Sequence, residues 1–169
     1  MSGIRLVPLA PSHLEALAEL VRDPVTIRHT RIPEPPPPDF AQQWYARYET
    51  GRSDGTREAF AIEDENGGFL GLALAPQIDR ETHTVELGYI VAPEARGRGV
   101  ATEGLRLATE WAFAELGAER VELLIAVDNP ASKVVAGRCG YVCEGVLRST
   151  YVKPGVRGDT EIWSRLPAD

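Results

Sequence analysis

Glu86-Leu-Gly-Tyr-Ile-Val-Ala-Pro-Glu-Ala-Arg96-Gly97-Arg98-Gly99-Val100-Ala101-Thr102-Glu103 is the stretch whose reading decides the fold. A strand over Thr82 to Val91 stops at Pro93, and a Gly- and Arg-rich turn then opens a helix carrying Leu105, Ala108, Ala112 and Leu116 on one stripe as far as Gly117. Such a turn suits anions, because the first N–H groups of a helix lack internal partners and the dipole adds roughly half a positive charge there. Gly97 and Gly99 let the backbone approach a ligand closely, and Arg96 and Arg98 add charge. The alternative is a solvated turn with two surface arginines. Two phosphate motifs are excluded. No Gly-Lys-Ser/Thr follows, so this is not a nucleotide P-loop. Thr102 holds the third glycine place of a dinucleotide fingerprint, and no acid ends the next strand at about 20 residues.

Outward from this turn, Val121 to Val127 reads as a fully buried strand, and Asp128-Asn129-Pro130 opens a short helix that stops near Gly140. Two strands, Tyr141 to Tyr151 and Asp159 to Leu166, close the chain. Toward the N-terminus, Ala59 to Glu63 and Phe69 to Ala75 form strands joined by a turn at Asn66-Gly67. Met1 to Pro8 reads as a strand and Leu14 to Val21 as a helix capped by Ser12. Residues 33–38, Pro-Glu-Pro-Pro-Pro-Pro, form a stiff extended connection, and Asp39 caps a helix through Tyr48.

The 169 residues suit one domain, 1–169, and a composition 43% apolar and 25% charged excludes wholesale disorder. A net charge of −7 gives no broad phosphate-neutralising surface, so nucleic acid is not an expected partner and a cationic amine is. Apolar runs fall far short of the ~20 residues that span a bilayer, and the first residues lack a basic region followed by an apolar one. No membrane partner is expected, and the cytoplasm is the expected location. Cys139 and Cys143 read as free thiols. His13, His29 and His83 are scattered without ligand spacing, so no metal is expected.

Arg96-x-x-Gly99-x-Ala101 matches the Gln/Arg-x-x-Gly-x-Gly/Ala signature of the GNAT superfamily of acetyl-CoA-dependent N-acetyltransferases. Together with Asp128-Asn129-Pro130-Ala131-Ser132 to Ala136 and Gly140-Tyr141-Val142, it resembles the RimJ/RimL-type branch that acetylates ribosomal-protein N-termini, most strongly over residues 59–150. The resemblance implies an α/β fold with a mixed, mostly antiparallel sheet of about seven strands, split by a cofactor cleft and flanked by about four helices. It implies that Arg96, Gly97, Arg98, Gly99, Val100 and Ala101 bind the pyrophosphate of coenzyme A. Main chain at Ile90 and Val91 would pair with the pantetheine arm, and Asn129 and Ser132 would reach it from the other wall. Asn129 also reads as a plain helix cap. Family members are monomers or dimers, which makes a homodimer one expected state.

Acetyl transfer needs a neutral amine, stabilisation of developing oxyanion charge and a proton for the departing thiolate. Glu86 shares a strand face with Gly88 and Ile90 and is the candidate base, the alternative being an arginine-paired strand glutamate. Many family members place a tyrosine four residues before the glycine matching Gly140, where this chain has Ala136. Ser132 is the substitute candidate donor, the alternative being a serine bonded to local backbone. Tyr141 reads as core packing and Cys139 as an inert buried thiol; Glu103, Asp159 and Glu161 are further acids. Acceptor choice is expected in Arg28 to Asp39 and in the turn Tyr151 to Gly155. The expected acceptor is a protein or peptide N-terminus; the alternatives are a small amine such as a polyamine or aminoglycoside, or a silent acyl-CoA-binding module.

Overall fold

The computed structural model describes residues 3–169, so the expected strand from Met1 begins outside the described residues. The elements run β1 (Arg5–Pro8), α1 (Leu14–Leu20), α2 (Pro24–His29), α3 (Phe40–Asp54), β2 (Glu58–Glu63), β3 (Phe69–Asp79) and β4 (Thr84–Val91). After them come α4 (Val100–Leu116), β5 (Arg120–Ala126), α5 (Pro130–Arg138), β6 (Val142–Lys153) and β7 (Val156–Arg165). One sheet takes all seven strands in the order β1-β2-β3-β4-β5-β7-β6. Every neighbouring pair is antiparallel except β4 and β5, which are parallel. The mixed, mostly antiparallel sheet is therefore as expected.

Helix boundaries differ from the reading of the sequence for local reasons. Ser12 does not cap α1; it lies in a 3-10 turn, Pro11–His13, and His13 Nδ1 accepts the Ala10 N–H at 3.0 Å. Asp39 precedes α3, but its carboxylate takes the Gln43 amide at 2.7 Å instead of a first-turn N–H. This helix runs past Tyr48 to Asp54 and ends on Gly55 at φ 72°. The additional helix, α2, has a signature the sequence reading passed over. Asp23 accepts from Thr26 N at 2.8 Å and Thr26 Oγ1 at 2.9 Å, and Pro24 occupies the first turn, where its missing N–H costs nothing.

The core lies between the helices and the sheet, with Leu17, Ile62, Leu72, Val85, Leu105 and Val121 fully buried. Helix α4 packs on β3 and β4. It sits so close that a Cβ on Gly104 would come 2.7 Å from Ile62 Cδ1. Tyr141 is buried as expected, and its hydroxyl donates to Thr109 Oγ1 at 2.7 Å while Thr109 donates to Leu105 O. Strand β5 is buried on one face only: Val121, Leu123 and Ile125 are inside, whereas Glu122 is half-buried and Leu124 exposed. The expectation of a fully buried strand fails because on its second face Glu122 borders a cavity and Leu124 meets solvent. Both cysteines are free; Cys139 is buried and donates to Thr102 O at 3.4 Å, and Cys143 is exposed. Among the described residues no helix is long and apolar enough to cross a membrane, and no His/Cys/Asp/Glu group could hold a metal.

Candidate active site

The site begins where two neighbouring strands stop pairing. Strands β4 and β5 pair from Thr84 and Arg120 to Leu87 and Leu123 and no further, although β4 runs on to Val91 and β5 to Ala126. Each keeps its outer neighbour along that length, β3 for β4 and β7 for β5. Ala75 and Pro76 of β3 together oppose the single residue Leu87, a bulge at the point of parting. The extra residue is on β3, and a bulge bends the strand that carries it and raises the local twist, here at the level where β4 and β5 stop pairing.

Hydrogen-bond alternation then settles which groups line the split. Ala92 N donates to Leu70 O, so Ala92, Ile90 and Gly88 direct their main-chain groups at β3, while Tyr89 and Val91 direct theirs at the split. The Arg120 N–H on the His83 carbonyl gives the same phase from the other side. Of the expected pair Ile90 and Val91, Ile90 directs its main-chain groups at Leu72, and Val91, together with Tyr89, presents them to the split. Of these groups the Val91 carbonyl already accepts Arg96 Nε at 3.2 Å.

Next comes the glycine turn. Gly97 and Gly99 have φ of 73° and 79°, and a Cβ on either would meet nothing within 4 Å. Glycine is needed for its left-handed backbone, and the space beside it is open. Gly99 holds the N-cap position of α4 without a side chain to give, so the first N–H groups at Val100 and Ala101 lack a side-chain cap. Val100 buries its own side chain and Arg98 is exposed. Arg96 is turned inward: its guanidinium pairs with Asp23, and Nη2 also reaches Thr26 Oγ1 at 3.2 Å. Burial alone would raise the Asp23 pKa, but Arg96 and the Thr26 N–H and hydroxyl outweigh it and hold the carboxyl below its ordinary range. Arg96 therefore ties the turn to α2, and its charge is already matched.

Glu86 lies half-buried on the sheet face opposite α4, close enough to Tyr48 of α3 to help raise that phenol's pKa, which burial chiefly lifts to about 12. Its carboxylate makes neither a salt bridge nor a hydrogen bond among the described residues, whereas each of the other candidate acids is engaged. Glu103 pairs with Arg106, Asp159 accepts the Ser149 N–H, and Glu161 holds Lys133 at 2.7 Å and Trp163 Nε1 at 2.9 Å. Burial raises the Glu86 pKa, Arg31 opposes the rise and the like charge of Glu122 adds to it. Beside Glu86 opens a cavity of about 290 Å³ lined by Gln77, Asp79, Thr82, Thr84, Arg120 and Glu122. Arg120 is held by Glu122 and Glu144, leaving an acidic surround.

The far wall is α5. Asn129 Oδ1 accepts the Ser132 N–H at 3.2 Å, so Asn129 is the cap and only its amide NH2 is left over. Ser132 is half-buried on the first turn. One residue escaped the sequence reading. Tyr89 belongs to the strand face of Val85 and Leu87, and its hydroxyl is buried with no partner at hydrogen-bond distance. Burial pushes this phenol up to about 12, opposed by the neighbouring Ser132 hydroxyl, with Cys139 adding to the rise. An unpaired buried hydroxyl costs about 1–3 kcal/mol, which a fold does not normally leave unspent. Its signal in the sequence was its alternation with Leu87 and Val91.

The two stretches expected to choose the acceptor meet. Tyr151 Oη donates to Thr30 O at 2.6 Å and Lys153 Nζ to Ile27 O at 2.6 Å, satisfying carbonyls at the C-terminal end of α2. Helix α2 is thus fastened to the glycine turn at one end and to the β6–β7 hairpin at the other.

Residues 4–142 match the family model of the acetyltransferase (GNAT) domain. The chain belongs to the GNAT acetyltransferase family. GNAT enzymes take acetyl-CoA as co-substrate, and the open glycine turn, the uncapped α4 N-terminus and the unpaired Tyr89 and Val91 edge fit its pyrophosphate and arm. A Bacillus subtilis relative, YdaF, named for ribosomal N-acetylation, is 32% identical over 101 residues, 60% of this chain and 55% of its own length. A spermidine N(1)-acetyltransferase of Vibrio cholerae is 31% identical over 94 residues, 56% of this chain and 54% of the relative. The chain spans about half the length of the curated relatives it matches. The crystal structure of spermidine N-acetyltransferase from Vibrio cholerae with CoA and spermine superposes with a TM-score of 0.86 at 23% identity, covering 98% of this chain and 96% of that one. At that identity the likeness shows the GNAT fold.

Proposed function

We propose that this chain transfers the acetyl group of acetyl-CoA to a primary amine by direct attack, with both substrates bound together. The observation that carries this reading is the unpaired Glu86 carboxylate at the point where β4 and β5 part. Acetyl-CoA supplies the acyl group as a thioester. Gly97 to Ala101 offer main-chain N–H groups and a helix N-terminus to its pyrophosphate, and Tyr89 and Val91 offer edge N–H groups to the arm and to developing negative charge. Glu86, raised by burial toward working pH, takes the ammonium proton from the acceptor directly or through water. The departing sulfur takes its proton where β4 faces α5, beside the Ser132 hydroxyl and the Tyr89 phenol.

The acceptor we propose first is the N-terminal amine of a peptide or protein, presented as a flexible end beneath the contact between α2 and the β6–β7 hairpin. A second reading, a small polycationic amine, is favoured by the Asp79, Glu86 and Glu122 carboxylates around the cavity. One panel tests both: thiol release from acetyl-CoA with Ser-, Ala- and Thr-starting peptides, polyamines and aminoglycosides, beside a no-acceptor control. Release with peptides alone supports the first reading, and release with polyamines alone supports the second. Acetyl-CoA binding with silence throughout favours a binding module and overturns the transfer reading.

A further inference from the structure

Glu86 and Tyr89 project to opposite faces of β4 at the place where the sheet is split. On α5, Ser132, Ala136 and Cys139 lie at i, i+4 and i+7 and form one stripe. The Tyr89 phenol neighbours both ends of that stripe, Ser132 and Cys139, and the small, fully buried Ala136 lies between them. A bulky side chain at position 136 would crowd this stripe. The hydroxyl itself is buried and bonded to nothing, and its backbone lines the split.

We propose that Tyr89, with its side chain rising from β4 onto the Ser132–Ala136–Cys139 stripe of α5, is the group that protonates the departing sulfur. This rests on the acetyl-transfer reading above. Once Glu86 has passed the ammonium proton on to solvent, the neutral acceptor nitrogen forms a bond to the acetyl carbon as the carbon–sulfur bond breaks, its second proton goes to Glu86, and the phenolic proton goes to sulfur. Glu86 and Tyr89 then return to their starting states through solvent, Glu86 releasing the proton that Tyr89 regains. The products are the acetylated amine and the free thiol. Ser132 is the neighbouring α5 hydroxyl that orients the phenol when the thiol is bound, and is a positioning residue. The groups facing the phenol are Ser132 and Cys139 from α5, and Cys139 is itself committed to Thr102 O.

The test compares wild type, Tyr89→Phe and Ser132→Ala, with melting temperature and coenzyme A affinity confirming fold and site. The first readout needs no turnover: ionisation of the thiol of bound coenzyme A, followed by the ultraviolet absorbance of its thiolate across pH. A phenol donating to sulfur stabilises the thiolate, so Tyr89→Phe moves that ionisation to higher pH. The second is kinetic: Tyr89→Phe lowers kcat roughly 10²-fold or more with the KM for acetyl-CoA unchanged, and Ser132→Ala lowers it less. An unmoved thiol titration overturns the assignment whether or not an acceptor is found. A moved titration with no acetyl transfer to any acceptor keeps Tyr89 at the sulfur and overturns the transfer reading alone. Unchanged kcat in Tyr89→Phe, with an active wild type, also overturns it, and a larger loss in Ser132→Ala reassigns the proton to the serine.

Discussion

Substituting Gly71 by alanine displaces the wall of the split from behind. Gly71 sits in β3 opposite Val91 at φ 152°, and an added Cβ would stand 2.2 Å from the Ile90 carbonyl oxygen and 3.0 Å from Val91 Cα. Ordinary contact begins near 3.4 Å, so the end of β4 must yield by about 1.2 Å, and the obstructing atoms are backbone with no rotamer to escape into. Overpacking of this kind costs about 1–3 kcal/mol, or roughly 2–12 °C of melting temperature for a chain of this size. The same shift moves the Tyr89 and Val91 edge, and an error of about 1 Å in a reacting geometry costs on the order of 10² in rate. Calorimetric titration of acetyl-CoA, thermal melting and kcat/KM are measured together, with Gly88→Ala as control for stability, because a Cβ there meets nothing within 4 Å. Gly71→Ala with wild-type melting, affinity and kcat/KM would refute the claim that the end of β4 is a fixed binding wall.

Glu86→Gln keeps the size of the side chain and removes the base; turnover falls about 10²–10⁴-fold while acetyl-CoA affinity, measured by calorimetry, stays as in wild type. Because burial and Glu122 raise the Glu86 pKa and Arg31 opposes them, the acid limb of the pH–rate profile lies above the ordinary carboxylate range. Glu122→Gln moves that limb to lower pH and Arg31→Ala moves it to higher pH; opposite movements refute the assignment of the limb to Glu86. Asp23→Asn loses the Arg96 ion pair, in which Arg96 is 32% and Asp23 13% exposed, at a cost of about 2 kcal/mol in denaturant unfolding. The folded Asp23 pKa is depressed, so this stabilisation is present above its ordinary value of 3.8 and is lost as pH falls through the folded value, where the two proteins converge in stability.

The glycine turn, the strand before it and the helix after it were legible because each carries a local signal: Pro93 ends the strand, two glycines demand positive φ, and the apolar stripe has helical period. Helix α2 was hidden because six residues make too short a stripe to show a period, although Asp23-Pro24 announces its start. Arg96 was read by its motif as a cofactor contact, but its partner Asp23 is 73 residues away, and no periodicity reports such a pair. Which of Tyr89, Ile90 and Val91 turn their main-chain groups to the split was hidden because the phase of a ladder is set by the neighbouring strand, here by Ala92 on Leu70. The only sequence signal at Tyr89 is its alternation with Leu87 and Val91, which does not set it apart from packing residues. A phenol in an alternating strand looks like core, and only a buried hydroxyl without a partner marks it otherwise.

Acetyl-CoA seated in the split between β4 and β5 is the central claim, and amide hydrogen exchange with and without acetyl-CoA tests it residue by residue. Binding is expected to slow exchange at Tyr89 and Val91 and at Gly97 to Ala101, with Ile90 unchanged because its amide is already held by Leu72. Saturating acetyl-CoA that leaves those amides unprotected, or protects another surface in their place, would contradict it.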